Sequence, residues 1–173
     1  MKRCALLLAL VAALFTTTSG ALAQRVLAQV VSPRADSIPF TRPADLPGNV
    51  SLPENLTAIF PPGPDVPPDL ARFYGVWTGL WGQADSISVI HRMTAKSAVV
   101  IYCWGAVPGA YILTAGCTEG RLDSKDGELK ADGRRTVRYR LRPDGGLEGE
   151  ATGVSRQAGN HQSEANNLRR VYP

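Results

Sequence analysis

Residues 73–82 read FYGVWTGLWG and contain the feature that most constrains the fold. Trp77 and Trp81 are four residues apart, so both side chains lie on the same face of an extended strand. Gly79 stands between them on that face and leaves room for the two indoles. Large aromatic side chains with small neighbours are typical of the interior of a small β-barrel, where they fill the available space. This run therefore predicts the first strand of a packed barrel, and it does not indicate a catalytic site.

Short runs with strand character, separated by turn residues, continue to the end of the chain. Fourteen of the seventeen glycines lie after Pro67. The predicted strands cover residues 75–81, 86–93, 97–104, 110–113, 117–122, 128–130, 136–141, 147–152 and a last run within 162–171. Such regular spacing indicates one all-β domain over residues 67–173, a small antiparallel up-and-down barrel of about eight strands.

The alternation of polar and apolar residues predicts which strand faces are buried. In residues 136–141, apolar residues at odd positions alternate with arginines, which indicates one buried face and one solvated face. Residues 97–104 are apolar on both faces, so we expect this strand to be covered on both sides. In the last strand, Ala165 and Leu168 cannot share a face unless the strand contains a bulge.

The segment before the predicted barrel is rich in proline. Ten of the thirteen prolines lie between Pro33 and Pro68, and each removes a backbone donor and fixes φ. This composition predicts that residues 24–66 form an extended, largely disordered linker, which we call the N-terminal arm. Six apolar residues leave open that parts of it dock on the domain or on a partner: Leu46, Val50, Leu52, Leu56, Ile59 and Phe60.

Residues 1–23 have the three parts of an export signal. Lys2 and Arg3 precede an apolar run from Ala5 to Phe15, and a small-x-small cleavage site follows, so we expect the mature chain to begin at Gln24. The apolar run is too short to span a bilayer as a helix, although an uncleaved anchor is the alternative. The sequence therefore predicts a periplasmic or secreted protein with no stable membrane span after cleavage.

Export changes both the net charge and the cysteine count. The whole chain carries a formal charge of +4, and loss of Lys2 and Arg3 reduces it to +2, which does not favour nucleic-acid binding. Cys4 is lost as well, and Cys103 and Cys117 remain. An even pair in an oxidising compartment predicts a disulfide, with two buried free thiols as the alternative. No zinc-ligand spacing is present, and we expect no metal or cofactor.

The first and last predicted strands carry a family resemblance. Gly75-x-Trp77, after a possible helical turn, resembles the opening of the first strand in calycin-like barrels, lipocalins in particular. In that group an arginine from the last strand packs across the indole and helps to close the barrel. The resemblance implies that Arg169 or Arg170 takes this position. It also implies that these arginines, Gly75 and Trp77 are structural residues of a lipocalin-like barrel. Trp81 is expected to be structural as well, because it shares a strand face with Trp77.

Aromatic residues near the predicted loop after residue 104 are the candidates for ligand binding. Tyr102, Trp104 and Tyr111 would form the rim of a pocket at a barrel mouth, since aromatic side chains often line such sites. The alternative is that these aromatic residues, with Trp77 and Trp81, only fill the interior of a small barrel.

His91 and the arginines of residues 134–142 are the remaining polar candidates. His91 shares its strand phase with Ile87 and Val89, so we expect it to point inward, buried and hydrogen-bonded, near the strand end. The alternative is a catalytic role, but one histidine without a placed partner is not a catalytic device. The arginines form either a solvated face or a contact surface for an anionic partner.

No motif of a known catalytic class is present, neither Gly-x-Ser-x-Gly, His-Glu-x-x-His nor a P-loop. The sequence predicts a non-catalytic exported β-barrel that binds a small apolar ligand or a partner protein. The first alternative is a periplasmic protein-interaction module, or a hydrolase inhibitor, that uses the N-terminal arm. The second is a small enzyme that uses His91.

Overall fold

The structure, a computed structural model, describes residues 37–107, 114–132, 135–155 and 159–172. The predicted signal peptide and the first part of the N-terminal arm, residues 24–36, lie outside these ranges. The predicted strand at residues 110–113 also lies outside them. Within the described ranges, no helix is long and apolar enough to cross a membrane.

Eight antiparallel strands form a closed barrel. Three short elements precede it in the chain: β1 (Ile38–Pro39), β2 (Ala58–Ile59) and the helical turn α1 (Pro68–Ala71). The barrel strands are β3 (Gly75–Trp81), β4 (Ala84–His91), β5 (Ser97–Trp104), β6 (Gly116–Lys125), β7 (Glu128–Ala131), β8 (Arg135–Leu141), β9 (Leu147–Ser155) and β10 (Gly159–Tyr172). Each strand pairs with its neighbours in sequence, and β10 pairs with β3. The predicted all-β up-and-down barrel is therefore confirmed.

Turn chemistry and a bulge set the register of the strands. Asp126 (φ 53°) and Gly127 (φ 78°) are both left-handed, which is the geometry of a two-residue hairpin turn between β6 and β7. In β10 the register shifts between Ala165 and Leu168, which pair with residues only two apart in β9. This bulge places both side chains in the core, as their spacing predicts.

A hydrogen bond across the barrel identifies its inner face. The hydroxyls of Ser88 on β4 and Tyr139 on β8 are 3.1 Å apart, although these two strands are not neighbours. Residues directly opposite each other on paired strands share a face. One inner-face row consists of Trp77, Ser88, Tyr102 and Thr118.

The connections between successive strands alternate between the two ends of the barrel. At the end that we call the closed end, α1 leads into β3 and short connections join the other strands: residues 92–96, 126–127 and 142–146. The opposite end, which we call the open end, is where four other strands end, at Trp81, Trp104, Ala131 and Ser155.

The prediction of a disordered linker is wrong for residues 37–66, which we call the docked arm. This segment has little regular secondary structure, as its prolines dictate, but its apolar side chains belong to the core of the barrel domain. Val50 is 1% exposed and Ile59 is 0% exposed. The folded unit therefore begins well before residue 67.

Repeated turns bring the apolar side chains of the docked arm onto the barrel. The amides of Leu46, Val50 and Leu56 each donate to the carbonyl of the proline three residues earlier, at 3.3, 3.2 and 3.0 Å. The amide of Val66 makes the same bond to Gly63 at 3.1 Å. Each turn ends on an apolar residue, and burial of that residue offsets the entropy lost in ordering the segment.

The docked arm covers the outer face of the sheet around β4. The Asn49 side-chain amide donates to Asp85 on β4 at 2.9 Å, and the Phe60 ring lies 6.0 Å from the ring of His91 at the end of that strand. Ile87 and Val89 face outward between these contacts and are fully buried. Cover by the docked arm explains why β4 is buried on both faces and why β5 is apolar on both.

We expect the docked arm to contribute to stability like a core element. Ile59→Ala removes a fully buried side chain and should lower the free energy of unfolding by about 2–4 kcal/mol. Ile38 pairs with Ile59 in the β1–β2 ribbon but is 37% exposed, so Ile38→Ala should cost less than about 1 kcal/mol. Urea unfolding with the disulfide intact measures both values. Equal losses, or no loss at Ile59, would contradict the packing of the docked arm.

Candidate functional site

The closed end of the barrel is sealed by Trp77. Its side chain is 0% exposed, and its indole nitrogen donates to the carbonyl oxygen of Phe73 at 2.9 Å. The guanidinium of Arg170, from β10, lies 4.6 Å from the Trp77 ring centroid and donates to the carbonyl oxygen of Arg72. Gly75, two residues before Trp77, has φ 134° at the start of β3. These contacts tie the first strand, the last strand and the chain after α1 together.

Arg169, the other arginine considered for this position, lies on the outer surface. Its guanidinium donates to the carboxylate of Asp45 in the docked arm at 2.8 Å, and this bond lowers the pKa of Asp45. The two neighbouring arginines therefore lie on opposite faces of β10 and hold different segments.

The middle of the barrel is filled by Trp81. Its ring centroid lies 4.9 Å from that of Tyr102 and 5.6 Å from that of Tyr139, both in edge-on geometry. The ring also crosses to β9, where it lies so close to Gly149 that an added Cβ would overlap it. Burial raises the pKa of Tyr139 far above its ordinary value, so its hydroxyl stays protonated beside Ser88. The Trp81 ring thus spans the interior between β5, β8 and β9.

The half-buried aromatic pair Tyr102 and Trp104 lies toward the open end. Their rings are stacked, with centroids 5.4 Å apart and planes at 25°. The Trp104 indole nitrogen donates to the carbonyl oxygen of Thr114 at 2.6 Å, and the ring lies over Gly116 on β6. Tyr111, the third predicted rim residue, lies outside the described residues.

Next to this pair, the inner wall is accessible from outside. Thr118 and Gly120 on β6 share the inner face with Tyr102 and Val100, yet both are exposed. A Cβ added to Gly120 would meet no atom within 4 Å. The cause is the short strand β7, which pairs with β6 only at residues 123–125. Residues 116–122 of β6, toward the open end, therefore have no described neighbour on that side. The interior of the barrel is thus occupied by Trp81 in the middle and accessible at the open end.

The Cys103–Cys117 disulfide lies on the outer face beside the open end. These residues are directly opposite each other on β5 and β6, and their sulfurs are joined at 2.10 Å. The Cys117 sulfur also lies 3.1 Å from the carbonyl oxygen of Ser51 in the docked arm. The disulfide cross-links β5 and β6 next to Trp104, the last residue of β5.

His91 does not point inward, in contrast to the prediction. It does share a face with Ile87 and Val89, but that face is the outer one, which is covered by the docked arm. His91 is 3% exposed, and neither ring nitrogen has a hydrogen-bond partner among the described residues. Burial, aided by the charge of Arg92, lowers its pKa from 6.5 to about 4. His91 is therefore neutral at pH 7 and remote from the accessible inner wall.

The arginine stripe of β8 is neutralised by acidic residues on the neighbouring strands. Arg140 lies opposite Glu128 on β7 and bonds to its carboxylate at 2.6 Å. Arg138 lies opposite Glu150 on β9, with a 3.7 Å ion pair. Alternating cross-strand pairs of this kind stabilise a solvated sheet face, and they leave little net charge to attract an anionic partner.

Sequence reasoning identified Tyr102 and Trp104 but missed the inner-face positions Thr118 and Gly120. Gly120 lies in a polar run, and only the pairing of Val100 with Gly120 assigns it to the interior. Comparison with known proteins finds no matching family model, no matching curated protein and no matching solved structure. Within the described ranges, no group of three or more metal-ligating side chains is present. Among the described side chains, Tyr102, Trp104 and Thr118 offer an aromatic and hydroxyl-bearing surface for binding.

Two inner-face glycines should respond differently to the same added methyl group. Gly149→Ala forces its Cβ into the Trp81 ring and should lower stability by about 1–3 kcal/mol. Gly120→Ala adds the methyl group to open space and should change stability by less than about 1 kcal/mol. Urea unfolding of the two variants measures the difference. Equal losses of stability at the two positions would contradict a barrel whose interior is filled near Gly149 and accessible at Gly120.

The buried His91 predicts a loss of stability in acid. Its pKa in the native state, about 4, lies below the value of 6.5 in the unfolded chain. The unfolded state therefore binds the proton first, and stability that is fully present above pH 6.5 falls as the pH drops toward 4. The loss is at most about 1.4 kcal/mol per pH unit.

The matched variant for this prediction is His91→Phe, which keeps a ring under Phe60 but does not titrate. Unfolding free energies of both proteins, measured by urea from pH 7.5 to 4, give the difference that belongs to His91. We expect wild type to lose more stability than the variant across this range. Parallel curves would show that His91 is not buried in its neutral form.

Proposed function

We propose that this protein is an exported, non-catalytic, calycin-like barrel that binds a small apolar molecule in the open half of its interior. The observation that carries the proposal is the accessible inner wall at Thr118 and Gly120, next to the half-buried pair Tyr102 and Trp104. Ligand sites are concave and mostly apolar, with a few polar groups that fix orientation. The inner wall has this composition, because its described side chains are aromatic, aliphatic or hydroxyl groups.

The contacts at the closed end support the calycin-like part of the proposal. Arg170 packs on Trp77 as the terminal arginine does in lipocalins, and both residues occur in the strands that close the barrel. The export signal supports a periplasmic or secreted location, and a disulfide between Cys103 and Cys117 is consistent with an oxidising compartment.

The alternative, a protein-interaction module that works through the N-terminal arm, has less support. The apolar residues that would engage a partner, such as Val50 and Ile59, are already buried against the chain's own barrel. Catalysis by His91 has less support for a similar reason, since its side chain is covered by the docked arm.

A cavity-filling substitution tests the proposal. Gly120→Leu places four carbons in open space on the inner face and should abolish ligand binding while the fold is kept. Glu119→Leu introduces the same side chain one residue earlier, on the exposed outer face, and serves as the control.

Native mass spectrometry of each protein, purified from its own host and then exposed to a panel of lipids and aromatic compounds, measures bound mass. We expect a ligand on wild type and Glu119→Leu and none on Gly120→Leu. If no compound binds to wild type, or if Gly120→Leu binds like wild type, the proposed site is wrong.

A further inference from the structure

A continuous series of four contacting aromatic rings leads from the middle of the barrel toward its open end. Trp104 stacks on Tyr102, and Trp81 contacts Tyr102 and Tyr139 edge-on, with ring centroids 4.9 and 5.6 Å apart. Trp81 and Tyr139 are buried, whereas Tyr102 and Trp104 are half-buried. Tyr102 and Trp104 thus keep part of their ring surface exposed, and contacts with aromatic rings favour flat aromatic molecules over saturated ones.

The available space lies on one side of this aromatic pair. On the Gly116 side, the Trp104 ring already packs against the backbone, since an added Cβ would lie 2.9 Å from it. On the Gly120 side there is no atom within 4 Å of an added Cβ. A molecule in the open half would therefore lie beside Gly120 and Thr118, with its face or edge against Tyr102.

Tyr102 also supplies the polar group of this space. The Tyr139 hydroxyl is engaged by Ser88, but the Tyr102 hydroxyl has no hydrogen bond within the described part of the chain. Burial raises the pKa of Tyr102 to about 12, so the hydroxyl remains protonated and can donate. Thr118, directly opposite Tyr102 on β6, is exposed and offers a second hydroxyl. A ligand with a hydrogen-bond acceptor would be favoured here, because a hydrogen bond to the half-buried Tyr102 hydroxyl stabilises the complex.

We propose that the ligand is a planar aromatic molecule with a hydroxyl or carbonyl group, whose ring packs against the exposed part of Tyr102 beside Gly120 and whose oxygen bonds to the Tyr102 hydroxyl. This inference rests on the proposed function, which requires only that some apolar molecule enters the open half. It adds the class of that molecule and assigns Tyr102 as the residue that determines specificity.

Three related compounds separate the contributions of planarity and of the hydrogen bond. We expect 2-naphthol to bind most tightly, naphthalene about tenfold more weakly because it lacks the oxygen, and decahydro-2-naphthol at least tenfold more weakly because its rings are not flat. Equilibrium dialysis against the mature protein measures all three. Tyr102→Phe should remove the preference for 2-naphthol over naphthalene and leave naphthalene binding unchanged.

Tyr74→Phe is the matched control, because it removes a hydroxyl near the closed end and should leave all three affinities unchanged. If decahydro-2-naphthol binds as tightly as 2-naphthol, the ligand class is wrong while the proposed function stands. If Tyr102→Phe keeps the preference for 2-naphthol, Tyr102 does not determine specificity. If none of the compounds binds and the wider panel also fails, the proposed function itself is wrong.

Discussion

The contact between Trp77 and Arg170 is the constraint on which the rest of the barrel depends. A sheet of eight strands has two edges, and pairing of β10 with β3 removes both. Trp77 and Arg170 are directly opposite each other at this seam. The indole seals the closed end, and the guanidinium stacks on it with a favourable cation–π contribution. Because the Arg170 guanidinium also bonds to the carbonyl of Arg72, the helical turn before β3 is held at the same point. The closed end is thereby sealed, and the accessible inner wall lies at the other end.

The outer surface is as important to the fold as the interior. β4 and β5 are largely buried on both faces, and a barrel alone buries only one of them. The docked arm covers the second face and joins distant parts of the barrel through Asn49, Ser51 and Phe60. One consequence is that His91 is buried without a polar partner. Another is that the docked arm contacts the Cys103–Cys117 disulfide, which cross-links β5 and β6 beside Trp104.

Much of the barrel was predictable from local pattern, and the reasons are specific. The four-residue spacing of Trp77 and Trp81 identified the first strand, and the mismatch of Ala165 and Leu168 identified the bulge in β10. The face of His91 was not predictable from the sequence. Ile87 and Val89 show that their face of β4 is buried, but they do not show whether that face is the inside or the outside of the barrel. The sequence left the docking of the arm open, because high proline density favours an extended chain. The turns that bury apolar residues three positions after several prolines are seen only in the structure. The accessible wall at Gly120 depends on the short pairing of β7, which is a property of the whole sheet.

The most direct test of this account is the solvent accessibility of the three tryptophans in the intact protein. Labelling with 5-fluorotryptophan gives one fluorine resonance for each tryptophan, and single Trp→Phe variants assign them. Line broadening by a soluble gadolinium chelate reports accessibility. The account predicts strong broadening for Trp104, little for Trp81 and none for Trp77, since the barrel is sealed at one end and accessible at the other. If Trp104 is as protected as Trp77, or if Trp77 is broadened, the central claim is wrong.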